Sequence, residues 1–133
     1  MTFNQLVRAI HSDSAAAGAQ VDTYLFVADA HYEVREVRAN FRVLGTSATL
    51  DIKKCPSGTA IGSGASVLLT TFDLAGTAAI PLIRSRAANT LTATKADRLL
   101  APGDSLALDF GGTLTGLLGV VVQVVLEPTR KNN

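Results

Sequence analysis

TLTATKADRLLAPGDSLALDFGGTLTGLLGVVVQVVLEP, residues 90–128, is the stretch that decides the fold. Glycine and proline divide it into short extended segments, and residues 105–110 alternate most regularly. Leu106, Leu108 and Phe110 lie on one face of this segment, and the other face carries smaller or polar residues. Because a period of two is typical of a half-buried strand, the segment predicts a β-strand with one face in the core.

The last extended segment, residues 120–126, is apolar on both faces. Its even positions are all valine or leucine, and its odd positions are Val121, Gln123 and Val125. A strand of this kind is typical of the middle of a sheet or of a surface that a partner covers. The odd face therefore makes Val121 and Val125 candidate subunit-contact residues.

Residues 32–44 predict a long strand whose apolar phase changes part-way along. The apolar side chains lie on even positions up to Val34 and on odd positions from Val37 onward. One additional residue in a strand shifts the phase in this way, so we predict a β-bulge across Arg35 and Glu36.

The other segments complete an all-β chain. The turn at residues 101–104 has Pro102 in its second position and Gly103 in its third, as a type II turn requires. We predict an all-β fold, a β-sandwich or jelly roll of about eight strands with an N-terminal arm. Further strands are expected at residues 21–29, 48–54, 80–83 and 90–94, and residues 67–74 fit either a strand or a helical turn.

The chain of 133 residues fits a single folded domain with short terminal extensions. We assign residues 21–128 to the sandwich, residues 129–133 to a polar tail and residues 1–20 to an arm or linker. The apolar spacing at the start of the arm fits one or two helical turns. The arm is either a loose linker or a segment that docks on a neighbouring subunit or a capsid, which makes Phe3 and Leu6 candidate contact residues.

The composition argues against several classes of function. Charged residues are only 17% of the chain, below the usual quarter, and a weakly charged surface is typical of a protein that covers part of itself with a partner. The net charge of +1 gives no electrostatic footprint for nucleic acid. No apolar run reaches the roughly 18 residues of a membrane-spanning helix, and the start lacks a signal-peptide pattern, so we expect synthesis in the cytoplasm.

No residue pattern indicates catalysis, a cofactor or a metal. His11 and His31 lack the partners that a general base or a metal ligand needs. Cys55 has no second cysteine nearby, which is typical of a small buried hydrophobic residue. The glycine-rich residues 62–66 lack the lysine of a phosphate-binding loop. We therefore expect no catalytic, cofactor-binding or metal-binding residues, and no enzyme activity.

Three arginines on the second predicted strand are candidate contact residues. Arg35, Arg38 and Arg42 alternate with Glu33 and Glu36. The pattern fits a solvated outer face, and it also fits a contact surface for an acidic partner.

Most of the chain resembles small structural proteins of tailed bacteriophages. The resemblance extends over five stretches that are present in order and carry no catalytic motif. They are LFVADAHYEV (25–34), ATLDIKKC (48–55), LLTTFDLAGTA (68–78), TLTAT followed by RLLAPGDSLALDFGGTL (90–94 and 98–114) and GVVVQVVLEP (119–128).

This resemblance implies a capsid decoration or cement protein. Such proteins are commonly β-sandwiches, often homotrimers, that sit on the head exterior of the virion and clamp neighbouring capsid subunits. The implied partners are the major capsid protein and further copies of the chain, with no nucleic acid and no membrane. The alternative is a virion spike or fibre-like protein that binds a host surface glycan, which the aromatic content of 5% disfavours because sugar-binding sites usually use exposed rings.

Overall fold

The computed structural model describes residues 6–129, which form a sandwich of two antiparallel sheets. The all-β sandwich predicted from the sequence is confirmed. Residues 6–129 contain ten strands where about eight were expected, because three of them are pairings of only two residues. They are β1 (Val7–Ser12), β2 (Thr23–Val27), β3 (Tyr32–Asn40), β4 (Thr49–Cys55), β5 (Ala65–Ser66), β6 (Phe72–Asp73), β7 (Leu82–Ser85), β8 (Leu99–Leu100), β9 (Ser105–Gly111) and β10 (Val121–Pro128).

The two long strands of the decisive stretch, β9 and β10, each lie between two other strands of their sheet. The first sheet has the order β1-β10-β3-β7, with β8 also paired to β3. The second sheet has the order β2-β9-β4-β5, with β6 also paired to β4. The central position expected for the doubly apolar strand is thus confirmed, since β10 lies between β1 and β3.

Aliphatic side chains of moderate size fill the space between the sheets. Val122, Val124 and Leu126 of β10 are fully buried, and so are Leu106 and Leu108 of β9. Burial of one such side chain contributes about 1.5–3 kcal/mol, so the alternating positions of the two central strands supply much of the cohesion.

The bulge predicted in β3 is present. Val125 of β10 lies opposite Glu36, but the next residue, Leu126, lies opposite Val34. Arg35 is therefore the additional residue. The phase change that it causes allows the apolar side chains on both sides of the bulge to face the core.

The helical turn predicted near the start of the chain is wrong for the part that the structure describes. Residues 7–12 form β1, which pairs along its whole length with β10. The edge of β10 offers backbone hydrogen-bonding groups that an antiparallel strand satisfies and a helix at that position would not. The segment assigned to an arm thus contributes an edge strand to the first sheet, while Phe3 lies outside the described residues.

Other elements differ from the expectation in detail. Tyr24 pairs with Ala107 and Phe26 with Leu106, so the register of β2 shifts at Leu25, which was not predicted from the sequence. The strand expected at residues 90–94 is reduced to an isolated bridge at Leu91, followed by a short 3₁₀ helix. These short elements have few ladder hydrogen bonds, so local contacts decide their conformation.

The predicted turn at residues 101–104 is confirmed. The Asp104 N–H donates to the Ala101 carbonyl at 3.0 Å, and Gly103 has a φ of 93°, which type II geometry requires at the third position. The turn fixes the start of β9 and hence the register of the second sheet.

Candidate interaction surface

Side chains that point away from the core on the first sheet form one continuous surface, here called the β10 face. The register places residues of β1 and β3 directly beside the odd positions of β10. The face comprises Arg8, Ile10, Ser12, Val121, Gln123, Val125, Glu36, Arg38, Asn40 and Ile83.

Three exposed aliphatic side chains lie on this face, two on its flanking strands and one on β10. The exposed fractions are 61% for Ile10, 37% for Val121 and 45% for Ile83. A row across the sheet runs from Ile10 through Gln123 and Arg38 to Ile83, so the aliphatic groups border a polar centre. An apolar surface with polar groups among it is typical of a protein interface.

A shallow depression of about 250 Å³ continues the face at the start of β10. Phe41, Arg42, Ala79 and Val121 contribute to its lining. Arg42, one of the predicted contact residues, therefore lies next to the exposed Val121 and not in a separate part of the molecule.

The two valines predicted as contact residues differ in accessibility. Val121 is exposed, as given above, whereas Val125, which lies between Arg8 of β1 and Glu36 of β3, is only 5% exposed. Leu6 is exposed just before β1. The contact role of these residues stays a prediction, with Val121 and Leu6 the accessible members.

The arginines of the predicted stripe are largely engaged by glutamates of the same sheet. Arg35, at the bulge, forms a close ion pair with Glu127. Arg38 donates from Nε to the Glu36 carboxylate at 3.0 Å. Neutralisation of this kind favours the solvated-face interpretation of the stripe over a surface for an acidic partner.

A cluster of charged residues around Glu33, near the start of β3, was not anticipated from the sequence. The Glu33 carboxylate is buried and accepts a hydrogen bond from Arg86 Nη1 at 2.9 Å, and Arg98 Nε lies 3.7 Å away. Glu33 also lies opposite Glu127, and like charges in that position repel unless cations compensate them. Arg86 is 53 positions from Glu33 in the chain, so no local pattern could have indicated the pair.

The outer face of the second sheet carries a different set of charges, here called the aspartate face. Asp51 lies directly opposite Asp109, and Lys53 Nζ is 3.7 Å from the first carboxylate and 3.9 Å from the second. Burial raises the pKa of the Asp109 carboxyl above its ordinary value, and the nearby charge of Asp22 raises it further, while Lys53 opposes the shift.

The structure places the single cysteine of the chain in the core. Cys55 is buried, as expected for a small hydrophobic residue, and burial raises the pKa of its thiol. Within residues 6–129, no group of three or more histidine, cysteine, aspartate or glutamate side chains could hold a metal ion. In the same part of the chain, no helix has the length and apolar character needed to cross a membrane.

Comparison with known proteins gives distant structural likenesses alone. No family model matches the chain, and no curated protein matches it. A chain from the disulfide-linked pili of Bacillus endospore appendages is 13% identical with a TM-score of 0.35, over 96% of this chain and 91% of that one. A chain of infectious bursal disease virus strain Gx is 16% identical with a TM-score of 0.29, over 95% of this chain and 36% of that one.

A chain of strain Gt of the same virus is 12% identical with a TM-score of 0.26, over 97% of this chain and 42% of that one. TM-scores this low carry no argument about function. A function can therefore be proposed only from the surfaces of the molecule and from the resemblance of its sequence to phage structural proteins.

Proposed function

We propose that the chain is a structural protein of a tailed-phage virion, which binds the outside of the head as a homotrimer and stabilises the shell. The observation that carries the proposal is the β10 face, where aliphatic side chains are exposed on both flanks of a central strand. The sequence resemblance to decoration proteins supports the same function.

The proposed mechanism is cohesion through buried surface. Copies of the chain cover Ile10, Val121 and Ile83 in their mutual contact, which removes apolar area from water. Leu6 and Arg42, near the edges of the same face, are proposed to reach the capsid. Because the protein binds the assembled shell and not its separated subunits, mass action stabilises the assembled state.

Self-association is tested with the purified full chain by size-exclusion chromatography with light scattering. We expect a mass three times that of the chain for the natural protein. We expect the double variant Ile10→Lys, Val121→Lys to be monomeric, because two buried ammonium groups per copy would be costly to desolvate.

Val27→Lys is the matched control, since it adds a lysine at an exposed position of β2 outside the β10 face. It should leave the trimer intact, and circular dichroism should show a folded β protein for every variant. A natural protein that is monomeric at high concentration would contradict the trimer.

Binding to the virion is tested with phage particles produced without this protein. The labelled chain should sediment with the particles, saturate at a fixed number of copies and raise the temperature at which the particles release DNA. A trimer that fails to sediment with the particles would contradict the head location while leaving the self-contact in place.

A further inference from the structure

A cavity of about 300 Å³ lies beside the Glu33 cluster, away from the exposed aliphatic residues of the β10 face. Its volume is at the lower end of the roughly 300–1,000 Å³ that is typical of small-molecule sites. Its lining includes Leu69, Arg86, Asn89, Leu91, Thr92 and Arg98. The cavity is therefore large enough for a small polar molecule and has both polar and apolar walls.

Hydrogen bonds hold the walls of the cavity in place. The Leu69 N–H donates to the Thr90 carbonyl at 3.1 Å, and the Thr92 N–H donates to the Val67 carbonyl at 2.8 Å. Arg98 Nη1 donates to the Thr92 carbonyl at 2.5 Å, which ties the 3₁₀ helix to the same wall. A binding site formed in this way needs little rearrangement to accept a ligand.

The charges around the cavity are unbalanced. Arg86 and Arg98 are the charged members of its lining, and the single carboxylate of Glu33 lies behind them. Arg98 Nε is buried, its distance of 3.7 Å from Glu33 exceeds that of a hydrogen bond, and none of the described residues accepts a hydrogen bond from it. Because Arg98 Nε has almost no accessible surface, a ligand in the cavity would act on the accessible parts of Arg86 and Arg98.

We propose that this cavity binds the carboxylate of an acidic sugar, such as a uronic or sialic acid unit of a surface polysaccharide, through charge and hydrogen bonds and without the exposed aromatic rings that most sugar-binding sites use. Guanidinium groups match a carboxylate in both charge and geometry. Asn89 and Thr92, whose side chains can bond to sugar hydroxyls, lie in the lining, and Leu69 and Leu91 offer apolar contact to the C–H groups of a ring. The site goes beyond the structural function, since cohesion of a shell does not need it.

The test is a titration of the ¹⁵N-labelled full chain followed by NMR, which includes the side-chain Nε–H signals of arginine. Sodium glucuronate and N-acetylneuraminate are the probes, with glucose as the neutral ring and acetate as the bare carboxylate, all at constant ionic strength. We expect an acidic sugar to shift the Arg98 Nε–H and Asn89 amide signals, glucose to leave them unchanged and acetate to bind at least about tenfold more weakly.

Each other result would overturn the proposal. Equal binding of acetate would show that the sugar ring contributes nothing, and equal binding of glucose would show that the charge contributes nothing. Absence of shifts at Arg98 and Asn89 with both acidic sugars would show that the cavity is not a site for them.

A pair of variants at Leu69 tests the location without disturbing the buried ion pairs. Leu69 is exposed at the cavity, so Leu69→Glu adds a negative charge there, and Leu69→Gln is the uncharged control of similar size. We expect the glutamate variant to weaken binding of glucuronate by about tenfold or more through repulsion, and the glutamine variant to change it far less. Equal affinity of the two variants would overturn the proposed position of the carboxylate.

Discussion

The two outward faces of the sandwich arise from the same alternation but differ in what they leave exposed. The aspartate face presents Asp51, Asp109 and Lys53, which form ion pairs among themselves and keep contact with water. The β10 face leaves Ile10 and Val121 exposed, and no charge pairing can satisfy an aliphatic group. The aspartate face also leaves Val27 exposed on its edge strand, so the difference lies at the centre of each sheet, where ion pairs cover the second sheet and the aliphatic Val121 of the first stays open to water.

The largest expected effect concerns Val125, which belongs to the β10 face but is as buried as a core residue. Val125→Asp would place a carboxylate at a site that is almost inaccessible to water, so we expect a loss of about 3 kcal/mol or more in the free energy of unfolding. Urea denaturation measures it. Val27→Asp, at an exposed position of β2, is the control and should cost much less. Similar losses for the two variants would show that burial does not separate these positions.

A smaller effect is expected at the buried ion pair of the first sheet. Arg86→Gln removes the guanidinium that donates to Glu33 at 2.9 Å and leaves the buried carboxylate with Arg98 alone. We expect a loss of about 1–3 kcal/mol in the free energy of unfolding, measured by urea denaturation.

Arg38→Gln is the matched variant for this comparison. Arg38 forms its ion pair with Glu36 at an exposed position, where such pairs contribute about 0–1 kcal/mol. If the two variants lose the same stability, then burial of the Glu33 carboxylate does not matter for the fold.

The smallest effect is a gain of stability on the aspartate face. The pKa of Asp109 is raised in the folded protein above its ordinary value of 3.8, so the folded state binds this proton more tightly than the unfolded state. At neutral pH the ionised carboxyl therefore lowers stability, and Asp109→Asn should raise the thermal midpoint, with a gain below about 1 kcal/mol because the side chain is partly exposed.

The stability of Asp109→Asn relative to the natural protein should depend on pH. The advantage of Asp109→Asn should be full above the raised pKa and should disappear as the pH falls below the ordinary value of 3.8, where the natural side chain is protonated in both states. Asp73→Asn removes a carboxylate from the exposed end of β6 and controls for the change in net charge. An advantage that persists in acid would contradict the proposed cause.

The sequence predicted those features that depend on the phase of apolar residues along one strand. The bulge at Arg35 and the central position of β10 both follow from which positions are apolar. The edge strand β1 did not follow, because its apolar spacing fits a helix as well and the neighbouring edge of β10 decides the outcome. Long-range partners set the conformation there.

The same limit applies to the candidate sites. Val121 and Val125 have the same place in the alternation, and only the side chains of adjacent strands make one accessible and the other buried. The Glu33 cluster and its cavity join residues from three separated parts of the chain. Periodicity reports which face a residue occupies, and it says nothing of what meets that residue across the sheet.

The bulge in β3 has a consequence for how the chain tolerates change in length. Removal of Arg35 would leave Val34 and Val37 two positions apart, so both side chains would still face the core in a regular ladder with β10. Loss of a residue elsewhere in β3, for example Arg38, would instead turn the apolar side chains on one side of the deletion toward solvent. Deletion of one residue should consequently be better tolerated at the bulge than at other positions of this strand.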